Sequence, residues 1–376
     1  MIRVLEVIRQ GQIGGGESHL LDLIRFLDKT QIEPICLSFS NGEMINQLRK
    51  MGIKCYIIET TKPFDVRIQK QIKQILYKEQ IQLIHTHGSR AASNIIWKAK
   101  SLHIPIIYTV HGWSFHDDQP LIVKLLRAFC EKCICHFSDE VICVSKSNAE
   151  TGRNVFGLKK CYVIENGVDL ERFNPSAKYQ SLRSDMHFTE DDFVIGFIAR
   201  CTKQKNPIVY LKALEISHNH NKRIKGLFVG EGDMDKAVKD FIQSHQMDSY
   251  LYHSEFRTDI PELLQNIDAY CLPSLWEGLS IALLEAMAME KAIIATPTDG
   301  TSEIITNKEN GIIVPFNDVK SLASAINQLA DSPEICRKYG KAAREIIEKR
   351  FNSRLVANAV TNIYKKTLKL VEQIER

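Results

Sequence analysis

Arg3-Val-Leu-Glu-Val-Ile8, Glu17-Ser-His-Leu-Leu-Asp-Leu-Ile-Arg-Phe-Leu-Asp28 and Glu33-Pro-Ile-Cys-Leu-Ser-Phe39 follow one another near the start of the chain, and their order decides the fold. The first and third are short apolar runs of strand length; the second repeats its leucines at helical spacing. The alternation continues through 42–52 (helix), 54–59 (strand), 65–79 (helix) and 82–87 (strand). Strands separated by helices predict a parallel sheet with crossovers. After a polar, proline-containing stretch near 173–192 the pattern restarts, with strands at 192–199, 224–232, 269–274, 291–296 and 311–316 and helices between them. The expected fold class is therefore α/β, with two doubly wound Rossmann-like domains facing a cleft. We expect them at 1–175 and 176–351, with a charged helix at about 352–376 packing back on the first. Open parallel sheets bind ligands outside the carboxyl ends of their strands, so the chemistry is expected there.

Composition narrows the classes. The 376 residues are 44% hydrophobic and 25% charged, which suits two globular domains. The first residues read as a strand rather than a secretory leader, and no apolar run approaches the ~20 residues of a membrane span, so a cytoplasmic setting is expected. The ten cysteines are scattered and are expected to be reduced. Cys130, Cys133, Cys135 and His136 are of zinc-ligand type, but no second Cys-x-x-Cys pair follows them. Leu125, Leu126, Phe129, Cys130 and Cys133 share helical spacing, which reads as a buried stripe.

The net charge of +4 is uneven: residues 1–176 hold 23 Lys+Arg against 18 Asp+Glu, leaving the remainder at −1. In 65–79, Ile68, Ile72, Ile75 and Leu76 form a stripe beside Arg67, Lys70, Lys73 and Lys78. This is an ordinary core-packed helix with a solvated basic face, or alternatively a surface for anionic lipid headgroups. No nucleic-acid motif is present.

Gly11-Gln-Ile-Gly14-Gly15-Gly16-Glu17-Ser18 follows the first strand and opens a helix, where glycine backbone and free N–H groups can approach a phosphate; a plain strand-to-helix turn is the alternative. The spacing is not that of a dinucleotide fingerprint, and the second strand ends without a ribose-holding carboxylate. The strongest signal is Pro273-Ser-Leu-Trp-Glu277-Gly278-Leu279-Ser280-Ile-Ala-Leu-Leu-Glu285. A strand leads to a loop carrying Glu277, and a helix from about Ser280 carries Glu285. Its first N–H groups suit a diphosphate, and the two carboxylates suit sugar and ribose hydroxyls. Arg200, Lys203 and Lys205 follow another strand and can meet the charge growing on a departing nucleoside diphosphate. His111 ends a further strand. Asp233-Met-Asp235 spells a metal-binding Asp-x-Asp but opens a helix, where carboxylates favour the N-terminus.

In combination these pieces resemble the family 4 glycosyltransferases, a group of retaining enzymes with the GT-B fold, along nearly the whole chain. The matching segments are GGGES, THG at His87, TVHG at His111, Asn166-Gly167-Val168-Asp169, the Arg200 and Lys205 loop, Gly230-Glu-Gly232, and Glu277-x7-Glu285. The resemblance implies that Arg200 and Lys205 hold the donor diphosphate, Glu285 the ribose and Glu277 the transferred sugar. It places the backbone at Leu279 and Ser280 on sugar or phosphate, His111 near the reacting sugar, and Gly15 and Gly16 near the diphosphate. It implies no metal and no cofactor beyond a nucleotide-sugar donor, with UDP-sugar the commonest. A glycan or lipid-linked acceptor in cell-surface polysaccharide or lipopolysaccharide synthesis, with peripheral contact to an anionic membrane, fits the basic first half. The chain departs from the family pattern at Asp299-Gly300-Thr-Ser-Glu303 and at Glu290, where the family usually has glycine. Rival readings are a nucleotide-sugar epimerase or hydrolase, a nicotinamide dehydrogenase, and a non-catalytic nucleotide-sugar-binding subunit.

Overall fold

The computed structural model describes residues 1–116 and 119–374, with side chains to 369. It divides into two compact units, Met1–Gly167 with Ser353–Arg376, and Val168–Asn352. The chain passes between them at 167/168 and 352/353 rather than at 175/176, because Val168 already pairs with Asn352 and donates its N–H to the carbonyl of Phe351.

In the first unit the elements are β1 (Ile2–Ile8), α1 (Gly15–Phe26), β2 (Ile32–Ser38), α2 (Glu43–Lys50), β3 (Lys54–Ile57), α3 (Gln69–Lys78), β4 (Leu83–His87), α4 (Ser89–Ser101), β5 (Ile106–Val110), α5 (Leu121–Phe137), β6 (Glu140–Cys143), α6 (Lys146–Phe156) and β7 (Tyr162–Val163). The sheet order is β3-β2-β1-β4-β5-β6-β7, and the pairings are parallel. The order reverses between β1 and β4, which makes their carboxyl ends a switch point where such sheets open a crevice. The central strands are buried on both faces, which is why β1 reads as a nearly continuous apolar run. The stripe of α3 turns inward: Ile72, Ile75 and Leu76 join the core with Ile68, leaving the basic face to solvent.

The second unit runs β8 (Phe193–Ile198), a 3-10 turn (Lys203–Lys205), α7 (Pro207–His220), β9 (Ile224–Val229), α8 (Asp235–Ser244), β10 (Leu251–Ser254), α9 (Ile260–Gln265), β11 (Ala269–Leu272), α10 (Ile281–Ala288), β12 (Ala292–Ala295), α11 (Asp299–Ile304), β13 (Ile312–Ile313), α12 (Val319–Asp331) and α13 (Pro333–Arg350). Its parallel sheet is ordered β10-β9-β8-β11-β12-β13, with its own switch point between β8 and β11. Asp235 opens α8, where a carboxylate suits the helix N-terminus, and accepts from the backbone N–H of Gly232 in the preceding loop at 2.7 Å. Glu290, which precedes β12 at a position usually glycine in the family, has φ +57°, the left-handed region in which glycine is least strained.

The last helix, α14 (Ser353–Ile374), belongs to the first unit. Val356, Ala357, Val360, Ile363 and Tyr364 pack with Val4, Leu83, Ile107 and Ile142 of the first sheet and with Leu23 of α1. Residues 375–376 of the expected helix lie outside the described residues. Among the described residues no helix is long and apolar enough to cross a membrane.

Candidate active site

In the second unit, the segments singled out by sequence converge at the switch point. Arg200 is exposed two residues past β8, and Lys205 ends the 3-10 turn that follows. That turn is pinned to the loop after β11: Leu275 N–H donates to the Gln204 carbonyl at 2.8 Å, and Gln204 Nε2 donates to the Trp276 carbonyl at 2.8 Å. The Lys205 ammonium reaches into this loop and pairs with Glu277, both groups largely buried. Ser274 Oγ donates to the same Glu277 oxygen at 2.8 Å. Thr296, at the end of β12, fixes the Ser274 carbonyl through its hydroxyl. Leu279 and Ser280 are buried, and Ser280 is the N-cap of α10 without a side-chain cap bond, so its helix N–H groups are not taken by that hydroxyl. Glu285 lies half-buried one turn into α10. Burial, reinforced by the carboxylates of Glu285 and Glu277, raises the Tyr270 phenol well above its usual value.

Gly300 explains why this loop holds its shape. A Cβ there would sit 1.8 Å from the Gly278 carbonyl oxygen and 2.8 Å from Leu279 Cα, so the start of α11 presses directly on the loop after Glu277. We predict that Gly300→Ala lowers folding stability by about 1–3 kcal/mol, the usual cost of overpacking, read as a fall in the urea midpoint. An unchanged midpoint would show that the loop yields.

The first unit carries a second set. Gly15 opens α1, and a Cβ at Gly16 would lie 3.5 Å from the His111 ring, which places that backbone turn beside the imidazole. His111 does not stand alone. Its Nε2 lies 3.1 Å from His87 Nδ1, and His87 Nε2 lies 3.0 Å from Glu6 Oε2. Tyr364 donates to Glu6 Oε1 at 2.8 Å and meets His85 Nδ1 at 2.6 Å, while His85 Nε2 meets Thr109 Oγ1 at 2.7 Å. His19 stands edge-on to His111, ring centroids 4.9 Å apart. Burial raises the Glu6 carboxyl, but His85 and His87 outweigh it and hold it below the usual carboxylate range. Burial pushes His19 down to about 3 and His87 to about 4, and with His19 and His87 as neighbours it holds His111 well below its usual value.

These directions assign the protons. An ionised Glu6 only accepts, so His87 donates through Nε2 and accepts through Nδ1, and the proton between the two rings belongs to His111 Nε2. His111 Nδ1 is thereby left as an unprotonated acceptor. Sequence reading named His111 but missed Glu6, His85, His19 and Tyr364. A carboxylate inside the apolar run Val4-Leu-Glu-Val-Ile8, and two histidines two residues apart in β4, were the available signals. Cys130, Cys133, Cys135 and His136 do not form a metal-ligating group among the described residues; their cysteines are free thiols. The imidazoles of His19, His87 and His111 do converge, with ligand atoms within 4.8 Å of one another, and the hydrogen bonds through His87 account for two of the three.

Comparison with known proteins now decides the family. The family model described as Glycosyltransferase Family 4 matches residues 13–172, and that of Glycosyl transferases group 1 matches residues 179–346, so the two halves of the chain match in turn. The chain is a family 4 glycosyltransferase. The Escherichia coli UDP-Gal:alpha-D-GlcNAc-diphosphoundecaprenol alpha-1,3-galactosyltransferase is 28% identical to this glycosyltransferase over 80% of its chain and 79% of the relative. The Campylobacter jejuni N,N'-diacetylbacillosaminyl-diphospho-undecaprenol alpha-1,3-N-acetylgalactosaminyltransferase is 27% identical over 91% and 94%. Among solved structures, Anabaena Alr3699/HepE in complex with UDP-glucose superposes with a TM-score of 0.85 at 19% identity, covering 97% of the glycosyltransferase and all of the other chain. That likeness establishes the GT-B fold.

Proposed function

We propose that this glycosyltransferase moves a sugar from a UDP-sugar to a lipid-linked glycan with retention of anomeric configuration and without a metal. The observation that carries the reading is the buried Lys205–Glu277 pair set between the end of β8 and the start of α10. Arg200 and Lys205 would meet the diphosphate, Glu285 the ribose, Glu277 the transferred sugar, and the Leu279–Ser280 backbone the sugar or phosphate. Gly15 and Gly16 would approach the diphosphate. His111 would accept a hydrogen bond through Nδ1 from a hydroxyl of the reacting sugar. In the reaction the bond from anomeric carbon to phosphate oxygen breaks, and the acceptor oxygen bonds to that carbon from the same face. The acceptor proton passes to the departing phosphate oxygen. Two cations and a helix terminus lower the barrier by stabilising charge on the leaving group. The UDP component is supported by the donor named for the Escherichia coli relative, and the lipid-linked component by the acceptors named for both bacterial relatives.

Thermal stabilisation of the purified protein by UDP, GDP and ADP, with and without a chelator, tests the donor. Stabilisation grows with ligand concentration over the dissociation constant, so a micromolar binder at millimolar concentration shifts the midpoint by several degrees. UDP alone, chelator-insensitive and weakened in Glu285→Ala, is the expected pattern. Stabilisation by none of the three would remove the donor site. An α-linked product by NMR supports retention, and free sugar in place of a glycoside would move the reading to a hydrolase.

A further inference from the structure

The structure reverses the expectation for 121–137. The inward face of α5 is Ala128, Glu131 and Ile134, spaced by three residues. Glu131 is held there by Tyr108, whose hydroxyl donates to Oε2 at 2.8 Å, and by the Ser114 N–H on Oε1 at 3.1 Å. Leu125, Leu126 and Phe129, read from sequence as part of a buried stripe, point outward. Leu121 is 69% exposed, Ile122 81%, Leu125 60%, Leu126 62% and Phe129 62%. At 100° per residue these five fall within one arc of about 140°, opposite the buried face. Five large apolar side chains on one open helix face exceed the scattered exposure normal for a folded protein.

From this we infer that α5 is a membrane-seating helix that lies in the plane of a bilayer with anionic headgroups. Charge complementarity selects this occupant. The helix exposes Arg127 and Lys132, and its one carboxylate, Glu131, is fully buried, so its exposed charge is cationic. Trp97, on the neighbouring α4, is itself exposed, and its ring lies 5.0 Å from that of Phe137 at the end of α5. An amphipathic helix with leucine and phenylalanine on one face, basic residues beside them and a tryptophan at the border has the chemistry of an interfacial helix. The basic helix α3, the surface that sequence offered for lipid, lacks the apolar part because its isoleucines are in the core. The inference rests on the lipid-linked acceptor proposed above and names the surface that would meet that lipid's membrane.

Co-sedimentation of the full chain with vesicles tests it. Wild-type protein should bind phosphatidylglycerol–phosphatidylcholine vesicles, and more weakly phosphatidylcholine alone. Ile122→Glu/Leu126→Glu should lose about a hundredfold in partitioning, the effect of withdrawing two leucine-sized side chains from the interface. Both positions are exposed, so the variant should keep the wild-type melting temperature and its stabilisation by UDP. Lys132→Glu should weaken binding to the anionic vesicles only. Wild-type partitioning by the double variant, or no vesicle binding by the wild type, would overturn the inference. So would a wild-type dimer that the double variant converts to monomer, because the face would then join two copies. Loss of the donor reading shows separately, as absent UDP stabilisation in every variant.

Discussion

Lys205→Met should lower kcat/KM by about 10²–10³-fold, the range for removing one preorganised donor to developing charge. It should also cost about 3–5 kcal/mol of stability, because Glu277 is left buried without its cation. That corresponds to roughly ten degrees in the melting temperature for a unit of this size. The double substitution Lys205→Met/Glu277→Gln separates the two effects. It removes both charges, so stability should recover substantially, while activity should stay low because the diphosphate still lacks its cation. Transfer rates and melting curves on the three proteins decide the matter. Activity within about twofold of wild type in Lys205→Met would remove Lys205 from the diphosphate site.

Acidification from pH 7 to pH 5 should destabilise the first unit by about 2 kcal/mol for each of His19 and His87. Unfolded histidine titrates near 6.5, whereas these two are pushed to about 3 and about 4 in the fold. Below pH 6.5 the unfolded chain therefore binds protons that the folded chain refuses, and stability falls with pH. For His87 the loss is complete once the pH drops below about 4. Glu6 acts in a lower window. Its folded value is depressed, so its stabilisation is present above 4.5 and drains away as the pH falls below that value. Urea midpoints at pH 7 and pH 5 measure the effect, and His19→Asn should flatten the dependence, with His87 and His111, also held low, still contributing. Midpoints that do not move between the two pH values would mean that the histidine cluster is hydrated and charged.

Legibility differed by feature. Most strands of both sheets were readable because burial on both faces leaves β-branched runs of strand length, as in β1 and β8; β6, β7 and β10, of two to four residues, were too short to stand out. The stretch around Glu277 was readable because a strand end, a glycine and a helix start are local signals. The partner of Glu277 was not: Lys205 is 72 residues away, and the two segments meet through tertiary contacts such as the bonds between Gln204 and Leu275 and Trp276. The assembly at Glu6 draws on β1, β4, β5 and α14, and Tyr364 lies 358 residues from the carboxylate it meets. No local pattern carries such a contact.

Helix α5 marks the same limit from the other side. Its sequence repeats apolar residues at helical spacing on more than one face, and periodicity says which residues share a face without saying which face the protein covers. Burial is a property of what packs against a helix. Tyr108 and Ser114 hold Glu131 inward, and that choice turns Leu121, Ile122, Leu125, Leu126 and Phe129 to the outside. The alternation of most strands and helices, the two-unit α/β architecture and the placing of Arg200 and Lys205 past a strand, Glu277 in a loop and Glu285 inside a helix were determined by the sequence alone, because backbone preference and hydrophobic period act over a few residues. The protonation of His111, the pairing of Lys205 with Glu277 and the outward face of α5 were decided only by the tertiary structure, because each depends on a desolvated contact between segments distant in the chain.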